Sequence, residues 1–303
     1  MNEVQFSKTS IIKYLVFTFG SAWIFQVCAF FLYKNNLMLF GQLVIALTMF
    51  FPLLGTLVSG NKLKGMGWMP RFKGNILMLL TAWFSPIVFT ALGALLYFAL
   101  FPSHFDLSGS YLIEAAGEDA VRQMNEQGID FQKYLLIITA SCLTNAPFIN
   151  MFLAVSEETG WRGFLYPQLK ARFGRIPGLT IGGIIWSCWH WPLIWLTGYE
   201  YGTDYVGFPL VGMLLFCIFC IFCGIICDVI YEKSKSIWFP ALFHGSTNAA
   251  CSLPLVICIT NAPTNSSLLG PIPNGLISCI PMVLFAIMLM IINGKKKAEG
   301  LTP

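Results

Sequence analysis

The amino-acid sequence predicts an all-α, polytopic integral membrane protein, a bundle of about eight transmembrane helices forming a single membrane domain over residues 1–303. Three observations predict it. First, charged residues make up only 11% of the 303 residues while hydrophobic types make up 56%, and mean hydropathy is +0.71. A soluble domain averages about 25% charged residues, so this chain has too little charge to cover a water-soluble globule of its size. Second, the apolar residues fall in long runs, and a run of ~20 crosses a bilayer as a helix. Backbone in lipid must satisfy its own hydrogen bonds, which makes those runs helices; the alternating pattern of a membrane β-barrel is missing. Third, Lys and Arg are strongly asymmetric between alternate connections, as a multi-pass chain requires.

Taken in order, the predicted spans are roughly 11–32, 37–59, 76–101, 134–157, 179–197, 207–231, 237–259 and 272–293. The first, Ile11 to Leu32, is too long for the apolar region of a cleavable leader and lacks a small-residue cleavage site. The fourth is expected to continue as a helix from Tyr134 towards Lys170. Between the third and fourth lies a long acidic segment, about 102–133, with Asp106, Glu114, Glu118, Asp119, Glu126 and Asp130; it reads as a solvated cap, helical near 111–128. One set of connections carries Lys62, Lys64, Arg71 and Lys73, then Lys170, Arg172 and Arg175, then Lys233 and Lys235, and the tail carries Lys295, Lys296 and Lys297. The opposite set carries only Lys34, Arg122 and Lys133. Both termini are therefore expected on the cytoplasmic side of a cell membrane. The net charge of +4 resides in loops beside the bilayer and gives no reason to expect nucleic acid. Of ten cysteines, Cys217, Cys220 and Cys223 share a CxxCxxC spacing, but within an Ile- and Phe-rich run they read as small hydrophobes rather than metal ligands. Asp228, near the inner end of the sixth span, is expected to pair locally with a lysine or with an interfacial water.

An ionisable residue inside a span is a functional candidate by default. Glu157-Glu158-Thr159-Gly160-Trp161-Arg162 closes the fourth span. Glu158 and Arg162 are four apart and share a helix face, in the favourable orientation for an ion pair. Glu157 lies about 100° away, without that partner, and is the carboxylate left free to exchange protons. In the fifth span His190 sits within Trp186-Ser187-Cys188-Trp189-His190-Trp191-Pro192, with Trp186 four residues earlier placed to wall the imidazole. In the seventh, His244 and Asn248 project together from one face, two convergent donors of the kind a developing oxyanion needs. Each feature has a structural alternative: a charged helix end, a core histidine bonded to a carbonyl, and interhelical glue. Together they point to one cavity between the fourth, fifth and seventh helices, expected to open towards the cytoplasm.

These residues carry a resemblance. Glu157-Glu158-Thr159-Gly160-Trp161-Arg162-Gly163-Phe164-Leu165, followed by Pro167 and Leu169, resembles the EExxxR motif of the CAAX protease and bacteriocin-processing (CPBP, or Abi) membrane proteins. Trp186-x-x-x-His190 resembles their FxxxH motif with Trp in place of Phe, and His244 with Asn248 their HxxxN motif. The resemblance covers about 150–250 and implies a glutamate-dependent intramembrane endopeptidase related to prenyl-protein CAAX proteases, with a catalytic core over approximately 134–259. By that resemblance, Glu157 and His190 activate a water, His244 and Asn248 stabilise the oxyanion, and Glu158, Arg162 and Trp186 support the site, with no cofactor. The implied partners are a peptide or membrane-associated protein substrate and the lipid bilayer. The extended first motif further implies a bacterial plasma membrane and a substrate such as a peptide pheromone or a bacteriocin leader. Two alternatives stand beside this one. Glu157, His190 and His244 form a His₂Glu set of the kind that holds catalytic zinc. A scaffold or immunity protein would use the same polar residues to hold its helices together.

Overall fold

The computed structural model describes residues 6–298, and among these it is all-α apart from one isolated bridge between Phe105 and Cys258. The chain is an integral membrane protein. Helix α1 (Lys8–Lys34) is followed by α2 (Met38–Thr48) and α3 (Phe51–Val58), which together form the second span, and by α4 (Ile76–Leu100). Two short helices, α5 (Ser110–Ala116) and α6 (Glu118–Glu126), make up the acidic segment. They precede α7 (Phe131–Leu143), α8 (Ala146–Gly160), α9 (Tyr166–Phe173), α10 (Arg175–Thr197) and α11 (Leu210–Ser234). The chain closes with α12 (Trp238–Ala250), the single turn α13 (Ser266–Leu269) and α14 (Ile280–Ala298). The basic tail residues Lys295, Lys296 and Lys297 lie in the last turns of α14, where side chains fall outside the described residues.

The eight expected spans are not all long, continuous apolar helices. Among the described residues four helices are long and apolar enough to cross a bilayer: Lys8–Lys34, Met38–Val58, Ile76–Leu100 and Leu210–Ser234. A fifth arises only if Phe131–Leu143 and Ala146–Phe173, bent by 47°, form one broken span. The physical reasons are local. Pro147 has no N–H to extend the preceding helix and favours the first turn of a new one, so the fourth span breaks at Thr144 and Asn145. Helix α12 has only 13 residues, about 20 Å at the α-helical rise, against ~30 Å of hydrocarbon. It stops at Ala250, and Leu253–Ile257, with Pro254 near its start, turns as 3₁₀ helix instead. Such a helix need not be strongly apolar, because it faces protein: Phe239 to Thr247 are all buried. The same holds for α10, whose Gly178, Gly182, Gly183, Trp186, Ser187 and Trp189 are buried.

The peripheral helices show the opposite pattern. On α1, Ile12, Val16 and Ile24 are exposed, and on α4 Leu77, Val88, Leu92 and Leu95; an apolar exterior on this scale is the mark of a lipid-facing surface. Inside, α12 packs chiefly on α8 and α4, while α10 packs on α11, α9 and α1. Helices α12 and α8 approach closely at Gly245, where a Cβ would lie 2.5 Å from the Met151 nitrogen and 2.6 Å from the Pro147 oxygen. Only glycine lets α12 lie this close to α8, and that approach sets the position of the neighbouring His244.

Candidate active site

The first motif lies where α8 runs into α9 through a five-residue π-turn, Trp161–Leu165. Such turns recur at functional sites because they re-aim side chains while the helix continues. Here the helix runs on to Phe173, so Glu157 is a mid-bundle residue rather than a helix end. Glu157 is 2% exposed, and its Oε2 accepts from the indoles of Trp161 and Trp186, each at 3.1 Å. Among the described residues its Oε1 accepts nothing.

Glu158 and Arg162 form the ion pair that their spacing predicts, and both are fully buried. Arg162 Nε lies 3.1 Å from Glu158 Oε2, and Nη1 donates to Oε1 at 3.2 Å. The guanidinium lies over the rings of Tyr166 and Trp186, 4.6 and 4.4 Å from their centroids, which suits its weakly hydrated, delocalised charge. Glu158 Oε1 has a second partner that no sequence spacing reveals: it accepts from His244 Nδ1 at 2.9 Å. One carboxylate thus joins α8 to α12 across 86 residues of chain.

His190 Nδ1 bonds the backbone carbonyl of Trp186 at 3.0 Å. A carbonyl only accepts, so Nδ1 carries the proton and Nε2 of the neutral ring keeps its lone pair. The ring stacks on Tyr199 (6.1 Å between centroids, 6° between planes) and meets Phe216 edge-on at 4.9 Å. Trp186 therefore does not wall His190 with its indole, as expected from sequence. Its indole bonds Glu157 and contacts His244 edge to face at 5.2 Å, while its carbonyl fixes His190. In both histidines Nδ1 is committed, and Nε2 has no hydrogen-bond partner among the described residues.

These groups surround one cavity of about 240 Å³, lined in part by Trp186, His190, His244 and Asn248. Glu157 is not among the residues that line it; it stands behind Trp186. Asn248 is exposed and joins His244 on the lining face of α12. The cavity lies towards the end of the bundle opposite the basic connections. It extends from mid-bundle towards Tyr199, Cys251 and Asn274, the end where α10 and α12 finish. The basic connections are at the other end, where Lys170 bonds Asp228 (2.6 Å) and Glu232 (2.9 Å), and Arg175 bonds Glu232 (2.6 Å). The local lysine expected for Asp228 is thus Lys170.

Two features escaped the sequence reading. Gln26 on α1, buried, donates to the Trp189 carbonyl at 3.0 Å and anchors α10 beside the site. Glu200 also lines the cavity, from the loop after α10. A glutamine amid an apolar first span was the available signal for the former. For zinc the fit is poor: among the described residues no three His, Cys, Asp or Glu side chains are grouped to hold a metal. His190, His244 and Glu157 therefore do not assemble the His₂Glu set. The cysteines, Cys217, Cys220 and Cys223 included, are free thiols.

The fold and site define an all-helical integral membrane protein with two imidazoles and an amide around an intramembrane cavity, backed by buried carboxylates. Comparison with known proteins is consistent with that class. Residues 135–250 match the family described as type II CAAX prenyl endopeptidase Rce1-like. Over 102 residues the chain is 31% identical to the CAAX prenyl protease 2 of Methanococcus maripaludis, a stretch that is 33% of this chain and 37% of that protein. The chain therefore spans little more than a third of the length of the relative it matches. This matched region carries all three motifs, and it bears out the resemblance to the CAAX protease family.

Proposed function

We propose that this protein is an intramembrane endopeptidase that hydrolyses a peptide bond of a peptide or membrane-associated protein. One observation carries the reading: two histidines in one cavity, each with Nδ1 fixed by a partner and Nε2 free. His190, held as the Nδ1–H tautomer, offers a lone pair that accepts a hydrogen bond from water and orients it. Glu157, buried behind the Trp186 indole with Oε1 uncommitted, takes the proton as that water attacks the scissile carbonyl, a step for which the indole must swing aside. His244, held by the Glu158 carboxylate, donates from Nε2 when doubly protonated. With the Asn248 amide it supplies the two donors for the tetrahedral oxyanion, each contributing up to about 3 kcal/mol where such donors are preorganised. Glu158 and Arg162 act by positioning His244. No metal takes part in this scheme.

The Lys and Arg asymmetry puts the basic end of the bundle in the cytoplasm, so this reading opens the cavity to the extracytoplasmic half of the membrane. The test is cleavage of a quenched membrane-peptide library by the full chain in nanodiscs, wild type beside Glu157→Gln. Hydrolysis that vanishes in Glu157→Gln at equal protein level supports the endopeptidase. A scaffold or immunity protein tolerates that substitution, and unchanged hydrolysis in it would remove Glu157 from the mechanism.

A further inference from the structure

We infer that Glu200 selects a cationic side chain, lysine or arginine, on the peptide that enters the cavity. The inference rests on the endopeptidase reading and deepens it. Glu200 lines the same cavity as His190, His244 and Asn248, and it is the one carboxylate among the lining residues. No Lys or Arg lines that cavity, and among the described residues Glu200 forms no ion pair. Beside its carboxyl lie the polar side chains of Tyr199 and Asn274. Asn274 is 4% exposed, and its Oδ1 is buried without a hydrogen-bond partner. This part of the cavity therefore holds a carboxyl group and an orphaned acceptor with no cation beside them, and burial pushes the carboxyl's pKa up, so an entering cation is what favours its ionised form. An ammonium or guanidinium, which has donors only and a positive charge, satisfies both.

The backbone supports a functional role. Glu200 has φ 71, in the left-handed region that non-glycine residues rarely occupy. Its neighbours hold it there. Gly198 ends α10 at φ 69, Tyr199 stacks on His190, and Tyr201 donates to the Asn274 carbonyl at 3.0 Å while accepting at its own carbonyl from Ser267 at 2.7 Å. A non-glycine residue held in that conformation beside a cavity is the kind of local strain that clusters at ligand sites. Because Tyr199 stacks on His190, the selected cation belongs within a few residues of the scissile bond.

The test uses quenched membrane-anchored peptides that are identical except at one position, scanned along the sequence, which carries lysine, norleucine or glutamate. The full chain is presented in nanodiscs. Cleavage is read as kcat/KM, and binding is read separately by fluorescence anisotropy in the Glu157→Gln background. At one position the lysine peptide should exceed the norleucine peptide by about tenfold in both readouts, the scale of a desolvated charge pair. Glu200→Gln should bring that ratio to within about twofold, and Glu200→Lys should reverse it towards the glutamate peptide, a gain that misfolded protein cannot produce. A ratio unchanged by Glu200→Gln, or no lysine preference in the wild type, overturns the assignment. Cleavage without lysine preference leaves the endopeptidase standing and removes this role for Glu200. Glu200-dependent lysine binding without cleavage by the wild type does the reverse.

Discussion

Substitution of Gly245 by alanine should uncouple the site from its scaffold. The added Cβ would lie 2.5 Å from the Met151 nitrogen, 2.6 Å from the Pro147 oxygen and 2.9 Å from the Met151 Cα. Ordinary contacts begin near 3.5 Å, and all three atoms are backbone of α8, which cannot swing aside as a side chain does. Helix α12 must therefore retreat by about 1 Å. The bond between His244 Nδ1 and Glu158 Oε1, 2.9 Å long, would stretch to nearly 4 Å, beyond hydrogen-bonding distance. Overpacking costs about 1–3 kcal/mol, and loss of a bond to a charged group adds about 1.5–3. The better helix propensity of alanine returns about 1, leaving a net loss of roughly 1.5–5 kcal/mol. Thermal unfolding in detergent measures it, with Gly20→Ala as the control, since a Cβ at Gly20 meets nothing within 4 Å and should be neutral to stabilising. Peptide cleavage should fall by about 100-fold, the usual effect of a 1 Å misplacement. A Gly245→Ala protein as stable and as active as wild type would refute the view that this contact sets His244.

Two further expectations concern chemistry and topology. Hydrolysis by a metal-stripped preparation should continue unchanged in a strong chelator, because the site's His and Glu side chains do not group as a metal set; loss of activity restored by zinc would reopen that alternative. A fluorescent protein fused after the tail should glow in cells, since the basic connections mark the end of the bundle that stays in the cytoplasm. A dark, full-length fusion would invert the orientation and turn the cavity towards the cytoplasm.

The parts of the site legible in the sequence are those that follow from spacing along one helix. Glu158 and Arg162 sit four apart and meet in the structure, and His244 and Asn248 share the face that lines the cavity. The contact between Glu158 and His244 was not legible, because it depends on how closely two helices approach rather than on either one. Nor was the screening of Glu157 by Trp186, which depends on an indole reaching across from α10. Hydropathy located the apolar segments but not their breaks, because it averages over the Pro147 break and runs past the end of α12 at Ala250. The continuation of the helix past Glu157 towards Lys170 was legible, and the structure carries it to Phe173 through the π-turn at Trp161–Leu165.

Glu158 is the group on which the site most depends. Its Oε1 is shared by Arg162 Nη1 and His244 Nδ1, and its Oε2 lies against Arg162 Nε. All of this is out of water, with Glu158 and Arg162 at 0% exposure. Removing one member of a buried pair strands the other, at a loss of about 3–5 kcal/mol, whereas replacing both with apolar groups of similar volume is often neutral. Glu158→Met should therefore be severely destabilised by the unpaired guanidinium, and Arg162→Met by the unpaired carboxylate. The double variant should be more stable than the sum of the two losses predicts, by at least about 2 kcal/mol. It should nevertheless remain inactive, because a methionine at 158 cannot hold His244 Nδ1. Stability and activity would then separate in one protein, folded without the ion pair but unable to turn over peptide. Additivity of the two single losses to within about 0.5 kcal/mol would show that the pair is not energetically coupled. An active double variant would show that His244 needs no carboxylate to hold it.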